Sequence, residues 1–173
     1  MWNRSHNAGV YACMRSHLLL AAISSLFTIA CGPTVDLRTG LQVEAVSTGW
    51  FDAGIVDGKN KLVPTVSFAL KNVSGEKLTG LQVNAVFRRA SDPQDWGSGF
   101  RSNVSSEGLT PGAATGMLTL KSELGYTGTD SRDQMLAHTQ FVDVTVDVFA
   151  RYGSTQWARL GNYAISRRLI RAQ

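Results

Sequence analysis

Thiols, imidazoles and charge are all scarce in this 173-residue chain, and each shortage removes a class of protein. Two cysteines, Cys13 and Cys31, cannot build a disulfide scaffold, and with only three histidines they leave little for a zinc site. Charged residues make up 17%, against about 25% in soluble proteins, while 43% are hydrophobic. A chain with that much core material and so little self-repulsion is not disordered as a whole. Four prolines and 17 glycines are too few for collagen-like or low-complexity readings. The uncharged run Leu18–Ala30 has 13 residues, and a membrane-crossing helix needs about 20.

That run has the length of the apolar part of a secretory signal, with Arg15 and His17 before it as a positive flank. Met14 opens a compact signal without help from residues 1–13, so Met14 is the expected start. The expected organisation is a signal peptide over 1–30, a lipidated cysteine and tether over 31–40, and one folded domain over 41–173.

The signal ends in Phe27-Thr28-Ile29-Ala30-Cys31, followed by Gly32-Pro33. Ile29-Ala30-Cys31 resembles the lipobox of bacterial lipoproteins, although Thr28 stands where that family usually carries Leu. The resemblance implies that Cys31 accepts two or three acyl chains and becomes the new N-terminus. Gly32, where Asp would favour retention at the inner membrane, implies an outer-membrane protein facing the periplasm. One acyl chain binds a bilayer marginally, whereas two or more hold a protein stably, each buried CH₂ contributing about 0.8 kcal/mol. The membrane is thus one expected partner and another envelope protein the second. Processing would also leave the folded part without a thiol.

From Cys31 onward fifteen basic residues face thirteen acidic ones, a net charge of +2. The one basic cluster, Arg167 to Arg171, reads as a frayed, solvated terminus, and nothing supports nucleic-acid binding. Alternation of period two dominates the remainder. Leu41, Val43 and Ala45 form one such row, and Val66, Phe68 and Leu70 a second. Leu81, Val83, Ala85 and Phe87 form a third, and Val142, Val144, Val146 and Val148 the clearest. Two weaker strands are expected near Gly99–Val104 and Ala114–Lys121, and a hairpin at Gly153-Ser154. Pro64 belongs at a strand start or a sheet edge. Ser131 and Gln134 form a capping box that predicts one short helix near 131–138, with Met135 and Leu136 plugging an end of the sheets. About seven strands with polar turns predict an all-β, antiparallel β-sandwich. The strand pair 66–87, joined by a short turn after the strand, Asn and small polar turn of Val66–Ser74, resembles the hairpins of immunoglobulin-like and transthyretin-like envelope domains. Small lipoproteins of Gram-negative bacteria, including subunits of secretion machines, share that pattern.

Catalytic chemistry finds little support. His138 is the one histidine after the signal, no G-x-S-x-G elbow presents a serine, and the helix end alone accounts for an imidazole there. The carboxylate pairs Asp52/Asp57, Asp92/Asp95 and Asp130/Asp133 lack calcium-loop spacing and fall in turns. Neither a metal nor a cofactor is expected, nor enzyme activity. Aromatics are more informative. Trp50, Phe51 and Trp96 fall in or beside expected loops, where they are candidates for contacting a partner or ligand. The bland alternative is that they fold back to close the sandwich. The function expected is a lipid-anchored envelope module that binds another envelope protein or polymer. The alternative is a carbohydrate- or small-ligand-binding module built on those aromatics.

Overall fold

A computed structural model describes residues 34–92 and 94–170. The signal segment, Met14 and Cys31 lie outside the described residues. The folded body begins at Val35, six residues before the expected boundary. Leu37–Gly40 forms a helical turn, α1, capped by Asp36, and Leu37 is buried. Glycine at 40 is required because a Cβ there would stand 2.6 Å from Val35 Cγ1.

Strands β1 (Leu41–Val56) and β2 (Lys59–Asn72) form a long antiparallel hairpin. Its two-residue turn, Asp57-Gly58, takes positive φ at both positions (51° and 73°), the geometry that matches the strands' twist. Bulges interrupt β1 between Glu44 and Ser47 and again between Asp52 and Ile55. The chain then crosses to a second sheet through β3 (Gln82–Arg89) and β4 (Asp95–Arg101). It returns through β5 (Leu118–Lys121) and β6 (Tyr126–Gly128), both edge strands against β2. Helix α2 (Arg132–Ala137) precedes β7 (Val144–Arg151), β8 (Ala158–Ala164) and β9 (Leu169–Ile170). One sheet has the order β5-β2-β1-β9 with β6 also on β2, and the other β4-β3-β7-β8. Every described pairing is antiparallel except β1 with β9. The fold is a two-layer β-sandwich, as the alternation predicts.

The buried rows meet between the layers. Val66, Phe68 and Leu70 face Val83, Ala85 and Phe87, and Val144, Val146 and Val148 complete the core. The capping box is present, and Met135 and Leu136 are buried as expected.

Four expectations need correction. Strands β2 and β3 lie in different sheets and form no hairpin. Asn72, fully buried, bends the chain away: its Nδ2 donates to Glu76 O and Leu109 O, and its Oδ1 accepts from Ser74 N. Leu78 and Leu81 then drop into the core. Secondly, Pro64 sits inside a central strand. It falls at the gap where β5 ends and β6 has not begun, so its missing N–H leaves no ladder partner unpaired. The Ser122 amide donates to its carbonyl there at 3.0 Å. Thirdly, the basic terminus is not frayed over its described part. Arg168 O accepts from Trp50 N, and Leu169 and Ile170 pair with β1. Finally, β4 begins earlier than Gly99, and only Leu118–Lys121 of the Ala114–Lys121 segment forms a strand.

Candidate functional site

Trp50 is not a loop residue. It lies mid-strand in β1, pairs with Pro64 and is fully buried. Its ring meets Phe141 edge-on at 4.6 Å and Trp96 at 6.2 Å. Trp96 is half-buried in β4 at the register shift opposite Phe87 and Arg88, a bulge that turns it toward the core. The Arg89 guanidinium covers its ring at 5.1 Å. Both tryptophans therefore close one end of the sandwich, and the expectation that they form an exposed patch is corrected. Strand alternation separates the neighbours: Trp50 points inward and Phe51 outward.

Phe51 does reach a site. It lines an open cleft of about 770 Å³ over the outer face of the first sheet. Lys121 Nζ stands 3.1 Å from the Phe51 ring centroid, held by the negative face of the ring. The floor is a band of hydroxyls. Ser67 and Thr119 hydrogen-bond across β2 and β5 at 2.9 Å, and Ser47 pairs with Ser67 from β1. Arg168 fixes the opposite wall by donating from Nε to Thr48 O and from its terminal NH₂ to Ser47 Oγ. The apolar rim consists of Phe100, Met117 and Leu169, each more than one third exposed. Glu123 is the one carboxylate on the lining.

Two glycines shape the rim next to β4. The inward positions 97 and 99 carry no side chain, so the backbone of β5 lies directly against β4. A Cβ at 99 would stand 2.6 Å from Lys121 O, and one at 97 would collide with the Ser122 side chain.

The second sheet carries a different cluster on its outer face. Asp147, although charged, is 7% exposed and accepts from Arg88, Arg159 and Asn162, while Arg88 also reaches Asp95. Burial raises the Asp147 pKa, but the hydrogen bonds and the two cations outweigh it and the net shift is downward. Phe100, which also lines the cleft rim, meets Trp157 edge-to-face at 6.3 Å, with the Arg151 guanidinium 4.8 Å over Trp157.

His138 is exposed, and its Nδ1 accepts from the Gln140 amide at 3.1 Å. Asp52 pairs with Arg132, which lowers its pKa against the opposing effect of burial, and Asp92 accepts from the Gln94 amide. Among the described residues no three His, Cys, Asp or Glu side chains stand together as a metal set.

Of the three aromatics expected at a contact site, Phe51 alone lines the cleft, and Lys121, Arg168 and the hydroxyl band were not among the expected residues. Ser67 and Lys121 were legible as the outward positions of alternating rows. Arg168 carried no such signal, because its role depends on β9 returning to β1.

No family model and no curated protein matches the chain. Among solved structures it is similar to Northeast Structural Genomics Consortium target SoR45, at 12% identity and a TM-score of 0.45, over 76% of this chain and 89% of that one. The ligand-binding region of serine-glutamate repeat protein A from Enterococcus faecium gives 15% identity and 0.29, over 67% and 88%. A protein from Archaeoglobus fulgidus gives 12% and 0.32, over 72% and 98%.

Proposed function

We propose that the protein is a lipid-anchored component of the bacterial cell envelope, held by acyl chains on Cys31, that binds another envelope protein or an envelope polymer. The anchor rests on the 13-residue apolar run that ends at Ala30-Cys31. The binding role rests on one observation, the open cleft of about 770 Å³ whose walls combine Phe51, Phe100 and Met117 with Lys121, Arg168 and a hydroxyl floor. An open trough suits an extended or macromolecular partner that can lie across it. A small-ligand site would instead enclose most of its ligand. No chemical step is assigned to it.

The test joins two measurements on protein extracted from membranes. Intact mass and N-terminal mapping are expected to give a chain that begins at Cys31 with acyl mass. A photo-crosslinking residue at Thr119, on the cleft floor, is expected to trap a discrete envelope species in cells. A soluble chain that begins near Gly32 without lipid refutes the anchor. Crosslinks no different from those of a probe at exposed Ile55, which is not on the cleft lining, refute the site.

A further inference from the structure

The docking of the first described residues limits how far an anchored chain can stand from its membrane. The Val35 amide donates to the Tyr152 hydroxyl at 2.6 Å, and Leu37 is buried. Only Gly32, Pro33 and Thr34 separate Cys31 from this docked residue. Four Cα-to-Cα steps span at most about 14 Å. The headgroup layer on one side of a bilayer takes up about half of that reach. A chain acylated at Cys31 therefore cannot stand away from the membrane.

Tyr152 belongs to the β7–β8 connection, and so does Trp157. That connection, the end of β4 and the start of β3 meet at the same end of the sandwich, where Arg151 pairs with Gln82. Here the exposed Phe100–Trp157 pair and the Arg151 guanidinium form one contiguous surface. Tryptophan with a neighbouring arginine is the pairing that bilayer interfaces favour, since ring and aliphatic stem enter the acyl boundary while the polar groups stay among headgroups. Charge is nearly balanced nearby, with exposed Arg38, Lys77 and Arg101 against Asp36, Glu76 and Glu107. The short tether, and not net charge, selects the orientation.

Resting on the lipid anchor proposed above, we infer that this end of the sandwich lies on the bilayer, with Trp157 and Arg151 inserted at the headgroup level. The opposite end, the Asp57-Gly58 turn, then points away from the membrane, and the cleft opens sideways.

The experiment uses acylated mature protein in vesicles of phosphatidylethanolamine and phosphatidylglycerol with brominated acyl chains, which quench nearby indoles. Among the described residues Trp157 is the exposed tryptophan, whereas Trp50 is buried and Trp96, packed on it, is half-buried at the opposite end. Expected is quenching that disappears in Trp157→Phe. It is also expected to fall when about twenty Gly/Ser residues, with a root-mean-square span of about 25 Å, are inserted between Thr34 and Val35. Both variants should still float with vesicles. Vesicle-bound, acylated protein whose Trp157 emission is unquenched overturns this orientation and leaves the anchor standing. Protein that carries no acyl group and does not float refutes the anchor, and the orientation with it. Quenching unaffected by the insertion overturns the tether as its cause.

Discussion

Replacing Trp50 with alanine separates a core role from a contact role, and the structure fixes the size of the effect. Trp50 is fully buried between Trp96, Phe141 and the body of the sandwich. Truncating a buried tryptophan costs about 3–5 kcal/mol, because the transfer energy of the ring is lost and a cavity remains. A domain of ordinary stability holds only about 5–15 kcal/mol in total. Near this size each kcal/mol moves the melting temperature by about 3 °C, so Trp50→Ala should lower Tm by about 10–15 °C. Its neighbour Phe51 provides the internal control. Phe51 is half-exposed, and its named partner is the Lys121 ammonium, an interaction of about 0.5–1 kcal/mol. Phe51→Ala should therefore lower Tm by only about 3 °C while weakening crosslinking from Thr119. The assay is thermal unfolding followed by circular dichroism, with urea titration to check that the m-value is unchanged. A Trp50→Ala protein that melts within about 3 °C of the parent refutes the packing argument.

Two further outcomes follow from the sheets. Asp147 has a lowered pKa in the folded state, so its contribution is fully present above the unfolded value of 3.8 and lost as pH falls through the lower folded one. Asp147→Asn should cost about 2 kcal/mol at neutral pH and flatten the acid limb of stability, and parallel acid limbs in urea midpoints measured from neutral to strongly acidic pH would rule this out. Gly99→Val places side-chain carbon against the Lys121 carbonyl and should cost about 1–3 kcal/mol while prising β5 from β4. Amide exchange at Leu120 and Lys121 should accelerate, and unchanged exchange would show that the two backbones do not need this contact.

The layers of this fold were legible because burial on one face imposes alternation, and the rows at 66–70, 81–87 and 144–148 are apolar and buried at every second position. Helix α2 was legible for a local reason, since Ser131 and Gln134 satisfy each other's backbone amides. What escaped depends on long-range partners. The β2–β3 crossover is decided by a buried Asn72 that bonds residues as distant as Leu109, and no period announces it. Pro64 is tolerated because two short edge strands leave a gap beside it, a fact of pairing and not of sequence. The aromatics misled for a related reason. Asp52-Ala53-Gly54 beside Trp50 and Phe51 reads as a loop, whereas β1 runs on through it to Val56 across a bulge. Phe51 lines the cleft because it is large and outward, and its cationic partner is visible only once β5 lies beside β2.

The bond between Val35 and Tyr152, and the course of β1 behind it, set how the domain carries a mechanical load. A pull arriving through a membrane anchor enters at Val35 and within a few residues runs along β1. That strand is 16 residues long and is laced to β2 from Leu41–Asn72 to Val56–Lys59. Ladder hydrogen bonds lie perpendicular to the strands, so a force along β1 shears many of them together instead of opening them one by one. A partner seated on the cleft floor would pull back through β2 and β5, the strands on the other side of that ladder. Resistance to rupture then reflects the rate at which the whole ladder gives way, and a domain of modest equilibrium stability can still act as a stiff link.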